Sequence, residues 1–139
     1  MEFSQKNNSK RVIIMKNHYN TELPAEVNNN MLKWEDFEKV EMRVGTVIRV
    51  EDFPEARNEA YKLWIDFGDL GEKKSSAQIT DLYSKEDLEG RQVIAVVNFP
   101  PKQIANFLSE CLVLGVVGAD EGVILLQPER EVENGLRIM

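Results

Sequence analysis

Hydrolytic and metal-dependent chemistries draw on a short roster of side chains, chiefly histidine, cysteine and clustered carboxylates held in fixed geometry. This chain of 139 residues holds one histidine, His18, and one cysteine, Cys111. His18 lies in an Asn- and Lys-rich opening stretch, where a solvated residue is the ordinary role, so a catalytic triad or a histidine-rich zinc site lacks its imidazole. Cys111 opens an apolar run with no histidine or cation beside it in sequence to lower its pKa, the setting of a small buried hydrophobe rather than of a nucleophile. The glycines at 68, 71, 115, 118 and 122 are spaced as turn formers and match neither a phosphate-cradling loop nor a dinucleotide fingerprint. The acidic pairs Glu35-Asp36 and Glu86-Asp87 lack the alternating ligands and turn glycine of a calcium loop. The expectation is a chain that is no enzyme and carries no metal or cofactor.

What remains is a surface for binding. Arg43, Arg49, Lys62, Trp64, Ser76, Gln78 and Thr80 fall, by alternation, on the non-core faces of three successive strand-like runs. Such a face presents cations to phosphates and aromatic or amide groups to bases. Rival roles are solubilising charge for Arg43 and Lys62 and a subunit contact for Trp64, a residue type enriched there. The polar run Ser75-Ser76-Ala77-Gln78-Ile79-Thr80 also suits a peptide backbone, or plain solvent.

The elements that must position these residues follow from periodicity. Trp34–Val40 puts Trp34, Phe37 and Val40 at helical spacing behind early acids, which predicts a short packing helix. Met42–Val50 alternates Met42, Val44, Ile48 and Val50 against Arg43, Val47 and Arg49, a half-buried strand with a bend or bulge at Gly45. Tyr61–Phe67 sets Tyr61, Leu63, Ile65 and Phe67 against Lys62, Trp64 and Asp66, and Lys73–Thr80 sets Ala77 and Ile79 against Ser76, Gln78 and Thr80. Ser84 and Asp87 have the spacing of a capping box, and Gly90 stands where a short inserted helix would end, before the apolar strand Val93–Val97. Leu112–Val117 and Val123–Leu126 are further β-rich runs, and Asn134-Gly135 is a turn signal near the end. Five or more short strands around one inserted helix favour a small closed barrel of the OB type, because closure removes exposed sheet edges.

Composition agrees with one soluble domain and an extension. Hydrophobic residues make up 42% and charged residues 29%, and no apolar run reaches the length of a membrane span. Residues 1–30 are Asn-rich, carry 4 cations against 3 acids and show no sustained period, so they read as a flexible N-terminal extension, with residues 31–139 as the domain. Met31 stands just before the patterned part, so the preceding residues are an added extension or the product of an upstream start. The whole chain has 17 Lys+Arg against 24 Asp+Glu, a net −7, which excludes a binder that relies on bulk positive charge and requires any nucleic-acid site to be a local patch. A single cysteine and the absence of a secretory pattern at the start lead us to expect a cytoplasmic location.

Several runs together resemble one family. They are Asp36-Phe37-Glu38-Lys39-Val40, Arg43-Val44-Gly45-Thr46-Val47, Phe53-Pro54-Glu55-Ala56-Arg57, Lys62-Leu63-Trp64-Ile65-Asp66-Phe67-Gly68, Ser75 to Thr80, Val93 to Pro101, Leu112 to Gly115 and Val123 to Pro128. Over residues 34–137 the chain resembles the CsaA-type export-related chaperones, stand-alone members of the structure-specific tRNA-binding OB-fold family. The resemblance implies a mainly β fold: a five-stranded OB barrel with an inserted short helix, a short helix before the first strand and extra C-terminal strands. It also implies a non-catalytic homodimer that binds tRNA by shape, with peptide binding in protein export as the alternative function and unfolded or export-destined polypeptides as partners. Carried over by position, Arg43, Lys62, Ser76, Gln78, Asn98, Lys102 and Ser109 are the expected RNA-binding residues. The chain departs from the basic, glycine-containing segment of its tRNA-binding relatives, having Gln103 and Asn106 where Arg and Gly occur, so one cation, Lys102, remains in that run. This weakens the electrostatic contribution to RNA affinity. It leaves Phe99, Pro101, Ile104 and Phe107, in an apolar loop, as the expected peptide-binding residues if the loop is exposed, the rival role of Phe99 and Phe107 being to anchor the loop to the barrel.

Overall fold

The computed structural model describes Ile14–Met15, Thr21–Glu22 and residues 30–139, in two compact units, Met1–Lys39 and Val40–Met139. His18 and most of residues 1–30, for which flexibility is expected, lie outside the described residues. In the first unit β1 (Ile14–Met15) pairs antiparallel with β2 (Thr21–Glu22), and α1 spans Trp34–Glu38. The Trp34 and Phe37 rings meet at 5.4 Å, as their helical spacing predicts, but α1 ends before Val40 and buries none of its residues.

The second unit is built on β3 (Met42–Asp52), β4 (Tyr61–Asp66), β5 (Glu72–Ala77), α2 (Lys85–Leu88), β6 (Gln92–Val96), β7 (Lys102–Ile104), β8 (Phe107–Ser109), β9 (Leu112–Val113), β10 (Gly115–Val116), β11 (Ile124–Leu125) and β12 (Arg137–Ile138). The main sheet runs β5-β4-β3-β6-β9 with every pair antiparallel, and β12 joins β3. β3 is long enough to serve two neighbours: Met42–Thr46 pairs with β6 and Thr46–Asp52 with β4, which curls the sheet. The curl returns residues 109–111 to the free edge of β5. There the Glu110 amide donates to the Lys74 carbonyl at 2.7 Å and the Ser75 hydroxyl donates to the Cys111 carbonyl at 2.9 Å, so the five-stranded barrel is nearly closed, as an OB-fold requires.

Val47, Leu63, Ile65, Phe67, Val93 and Ala95 fill the interior, and Leu88 of α2 is buried among them. The helix is short because its ends are fixed. The Ser84 hydroxyl accepts from the Asp87 amide at 3.1 Å, the Asp87 carboxylate accepts from the Ser84 amide at 3.0 Å, and Gly90 turns the chain out at φ +85°.

Four expectations change in the structure. The alternation read across β3 put Ile48 inward and Val47 outward, and the reverse is observed. The ladder with β4 passes from Val47↔Ile65 to Arg49↔Trp64, leaving Ile48 as the extra residue of a β-bulge that restores Val50 to the core. Gly45 is not the bulge. A Cβ there would lie 2.6 Å from Ile65 and 2.7 Å from the Phe67 ring, so it is glycine for close packing. The run expected as one strand over Leu112–Val117 divides at Leu114: β9 stays on β6, while β10 turns to pair with β11. Finally, residues 99–108 are not a plain loop, since β7 and β8 form a hairpin whose turn holds Ala105 at φ +49°.

Asn134-Gly135 makes the expected turn. The Gly135 amide donates to the Val44 carbonyl at 2.7 Å, and the Asn134 side chain accepts from Thr46 Oγ1 at 2.8 Å and Gln92 Nε2 at 3.0 Å. These bonds strap the C-terminal strand β12 onto β3.

Candidate nucleic-acid interface

A row of polar side chains crosses the outside of the barrel. Register places Glu51 of β3 opposite Lys62 of β4, and Lys62 opposite Ser76 of β5. The Ser76 amide donates to the Ser109 hydroxyl of β8 at 3.1 Å, and Ser109 pairs with Lys102 of β7. Four of the seven expected RNA-binding residues, Lys62, Ser76, Ser109 and Lys102, are thereby brought together. Gln78, two residues beyond Ser76 along the same outward alternation, is exposed at the end of β5.

Beneath the row lies a second apolar cluster, separate from the barrel core, in which Phe53, Ala60 and Phe107 are buried and Ala56, Trp64 and Ile104 pack against them. Phe107 meets Phe53 at 5.5 Å and Trp64 at 5.7 Å, both edge to face. Cations ride on these rings: Arg49 lies 4.2 Å from the Trp64 centroid, Lys74 5.1 Å from Phe107, and Lys62 5.4 Å from Phe53 and 5.9 Å from Phe107. Ring faces attract cations without neutralising them, so the ammonium groups stay available to an anion. Lys74, which the sequence does not single out, shares this face, and a signal for it was present: it lies two residues from Ser76 on one strand and opposite Trp64 on the next. Phe53 carries no such signal, because only the folded hairpin brings it against Phe107.

Arg43 and Asn98 belong elsewhere. Asn98 accepts from the Glu41 amide at 3.0 Å, Arg43 Nε lies 3.5 Å from the Glu41 carboxylate, and Arg43 Nη1 donates to the Gly135 carbonyl at 3.0 Å. Both gather around Glu41, just before β3 and ten residues back from Glu51. Arg43 lines an open groove with Phe67, Asp69, Glu133 and Leu136, whose two acids suit a phosphate poorly. Its position fits a strut for the C-terminal strap.

The four expected peptide-binding residues also divide. Phe99 is 54% exposed and Pro101 is exposed, whereas Phe107 is buried and Ile104 is half-buried against it. Phe107 supports Lys62 and Lys74 from within. Cys111 is buried, with Sγ 3.7 Å from the Lys74 carbonyl, and burial pushes its thiol up to about 12, an inert state at neutral pH. Among the described residues no group of three or more His, Cys, Asp and Glu side chains is placed to hold a metal ion, and no helix is long and apolar enough to cross a membrane.

Comparison with known proteins places the chain in a family. The family model described as "Putative tRNA binding domain" matches residues 42–137, the barrel from β3 to β12. The chain belongs to the tRNA-binding domain family. This tRNA-binding domain is similar to the chaperone CsaA of Bacillus anthracis, at 55% identity and a TM-score of 0.75, covering 78% of this chain and 99% of that one. It is 54% identical to the CsaA chaperone protein of Picrophilus torridus, again at 0.75, covering 78% of this chain and all of that one (100%). A MetRS-related protein of Pyrococcus horikoshii is 30% identical at a TM-score of 0.71, over 79% of this chain and 99% of that one. Among curated relatives, the methionine–tRNA ligase of Thermococcus onnurineus is 31% identical over 98% of this chain, which spans 19% of the ligase's length.

Proposed function

We propose that this tRNA-binding domain is a non-catalytic module that holds tRNA by the shape of its phosphate backbone, through Lys62, Lys102, Ser76, Gln78 and Ser109 together with Arg49 and Lys74. The observation that carries the reading is the gathering of four cations on one face of a domain whose residues 31–139 hold 13 Lys+Arg against 21 Asp+Glu. With the domain acidic on balance, RNA affinity depends on a local cluster of cations such as this one to supply counterion release. Serine hydroxyls and an amide beside the cations suit phosphate and sugar oxygens. Arg43 and Asn98, expected in the same site, act in this reading by holding the barrel.

The test is a set of variants titrated with tRNA at several salt concentrations. Lys62→Ala and Lys102→Ala each weaken binding and lower the slope of log affinity against log salt by roughly one unit. Arg43→Ala lowers thermal stability and leaves that slope unchanged. A slope that falls with Arg43 and not with Lys62 contradicts the proposed face.

A second reading, a polypeptide-binding chaperone for export, is favoured by the exposed apolar edge of Phe99, Pro101 and Leu108 and by the likeness to the two CsaA chaperones. It predicts salt-resistant capture of an unfolded polypeptide, lost in Phe99→Ser with the barrel intact. We also propose a homodimer in a reducing cytoplasm. Val116 faces Ile124 across β10 and β11, with Val117 and Leu126 beside them, and all four are exposed, an apolar surface suited to a second copy.

A further inference from the structure

One carboxylate, Glu51, pairs with two cations of the row. Glu51 Oε2 accepts a bond from Arg49, and its Oε1 lies 3.9 Å from the Lys62 ammonium directly across the strand pair. The two cations are thus held from below by the rings of Trp64, Phe53 and Phe107 and from the side by one anion. A carboxylate and a phosphate offer oxygens of like spacing to a guanidinium, so Glu51 occupies the place that a ligand phosphate would take.

The strength of this arrangement matters. Arg49 and Glu51 are 59% and 38% exposed, and ion pairs in contact with solvent are individually weak. The Lys62 side chain is more enclosed, at 18% exposed, and cannot swing away to find another partner. The carboxylate is therefore displaceable by rotation of its own side chain, while the cations stay in place on their rings. A lone phosphate exchanges one anion for another at little gain. A folded RNA that also reaches Lys74 and Lys102 gains from those cations what it forgoes at Glu51.

We propose that Glu51 is a built-in competitor of phosphate, which lowers affinity for any single phosphate and so selects ligands that present several phosphates across the face at once. The inference rests on the RNA-binding reading above and deepens it.

The experiment compares the full chain with Glu51→Gln, Glu51→Thr and Lys62→Ala, each titrated with tRNA and with a short unstructured RNA over a range of salt. Glu51→Gln keeps the size of the side chain and its bond to Arg49, and threonine suits an outward strand position should glutamine disturb the fold. The expected result for both Glu51 variants is tRNA binding about fivefold tighter, the scale of losing one exposed ion pair. The salt slope should steepen by about one unit. The gain should be larger for the short RNA, which narrows the preference for tRNA. Unchanged or weaker binding by the Glu51 variants, alongside weakened binding by Lys62→Ala, overturns the competitor role and leaves the face standing, with Glu51 then a positioning residue for Arg49. If Lys62→Ala and both Glu51 variants all bind as the parent does, the face itself is wrong and the inference falls with it.

Discussion

Lys62 draws its position from residues far from it in sequence: Phe53 and Phe107 supply the ring faces on which its ammonium rests. Phe107 is the keystone, buried against Phe53 and Trp64, so Phe107→Ala should cost about 3–5 kcal/mol in denaturant unfolding. Gly45→Ala should cost about 1–3 kcal/mol, because the added methyl meets Ile65 and Phe67 with no room to retreat. Cys111 gives a pH prediction. Burial raises the folded thiol to about 12 from an unfolded value near 9, so the fold keeps its proton longer than the unfolded chain does. Its contribution to stability is full below pH about 9 and is lost as pH rises toward about 12. A thiol reagent at pH 8 should leave Cys111 unmodified in the folded protein and label it on unfolding; rapid labelling without unfolding contradicts this. Lys62, Ser76 and Gln78 were legible as outward residues because alternation fixes a face. Arg43 was not legible as a strut, because the carbonyl it binds lies 92 residues away.

At the scale of elements, the strands and the inserted helix follow from local patterns, and each departure has a local cause. The bulge at Ile48 shifts the alternation by one residue, which no periodic reading of Met42–Val50 detects. The β7–β8 hairpin has strands of three residues and turns at Ala105 without a glycine, so neither its period nor its turn stands out in sequence. The helix α2 was legible because its signals are chemical: Ser84, Asp87 and Gly90 act at its two ends. Ser84→Ala should reduce stability by about 1 kcal/mol through loss of the cap. Bonds from Ser84 also hold the Asp87 carboxyl below its usual value, so the cap's contribution is full above the ordinary carboxylate range and is lost as pH falls through the lowered value. Asn134→Ala should loosen the C-terminal strap by about 1–3 kcal/mol, since Thr46 and Gln92 lose their acceptor together. Hydrogen exchange localised to β12 and the start of β3 would report it.

For the molecule as a whole, charge and shape pull in different directions. A net −7 opposes RNA, and the proposed function depends on gathering Arg49, Lys62, Lys74 and Lys102 on one face. If two copies join through Val116, Val117, Ile124 and Leu126, sedimentation at micromolar concentration gives twice the monomer mass, and Val116→Asp with Ile124→Asp returns it to the monomer. A monomer mass for the unaltered chain rejects that arrangement. The most direct test of the central claim is titration of the purified protein with bulk tRNA at several salt concentrations, beside an unstructured RNA of equal length. The proposed function predicts binding that prefers tRNA and weakens with salt at a slope of several units. Equal affinity for both RNAs, or no binding at low salt, contradicts it.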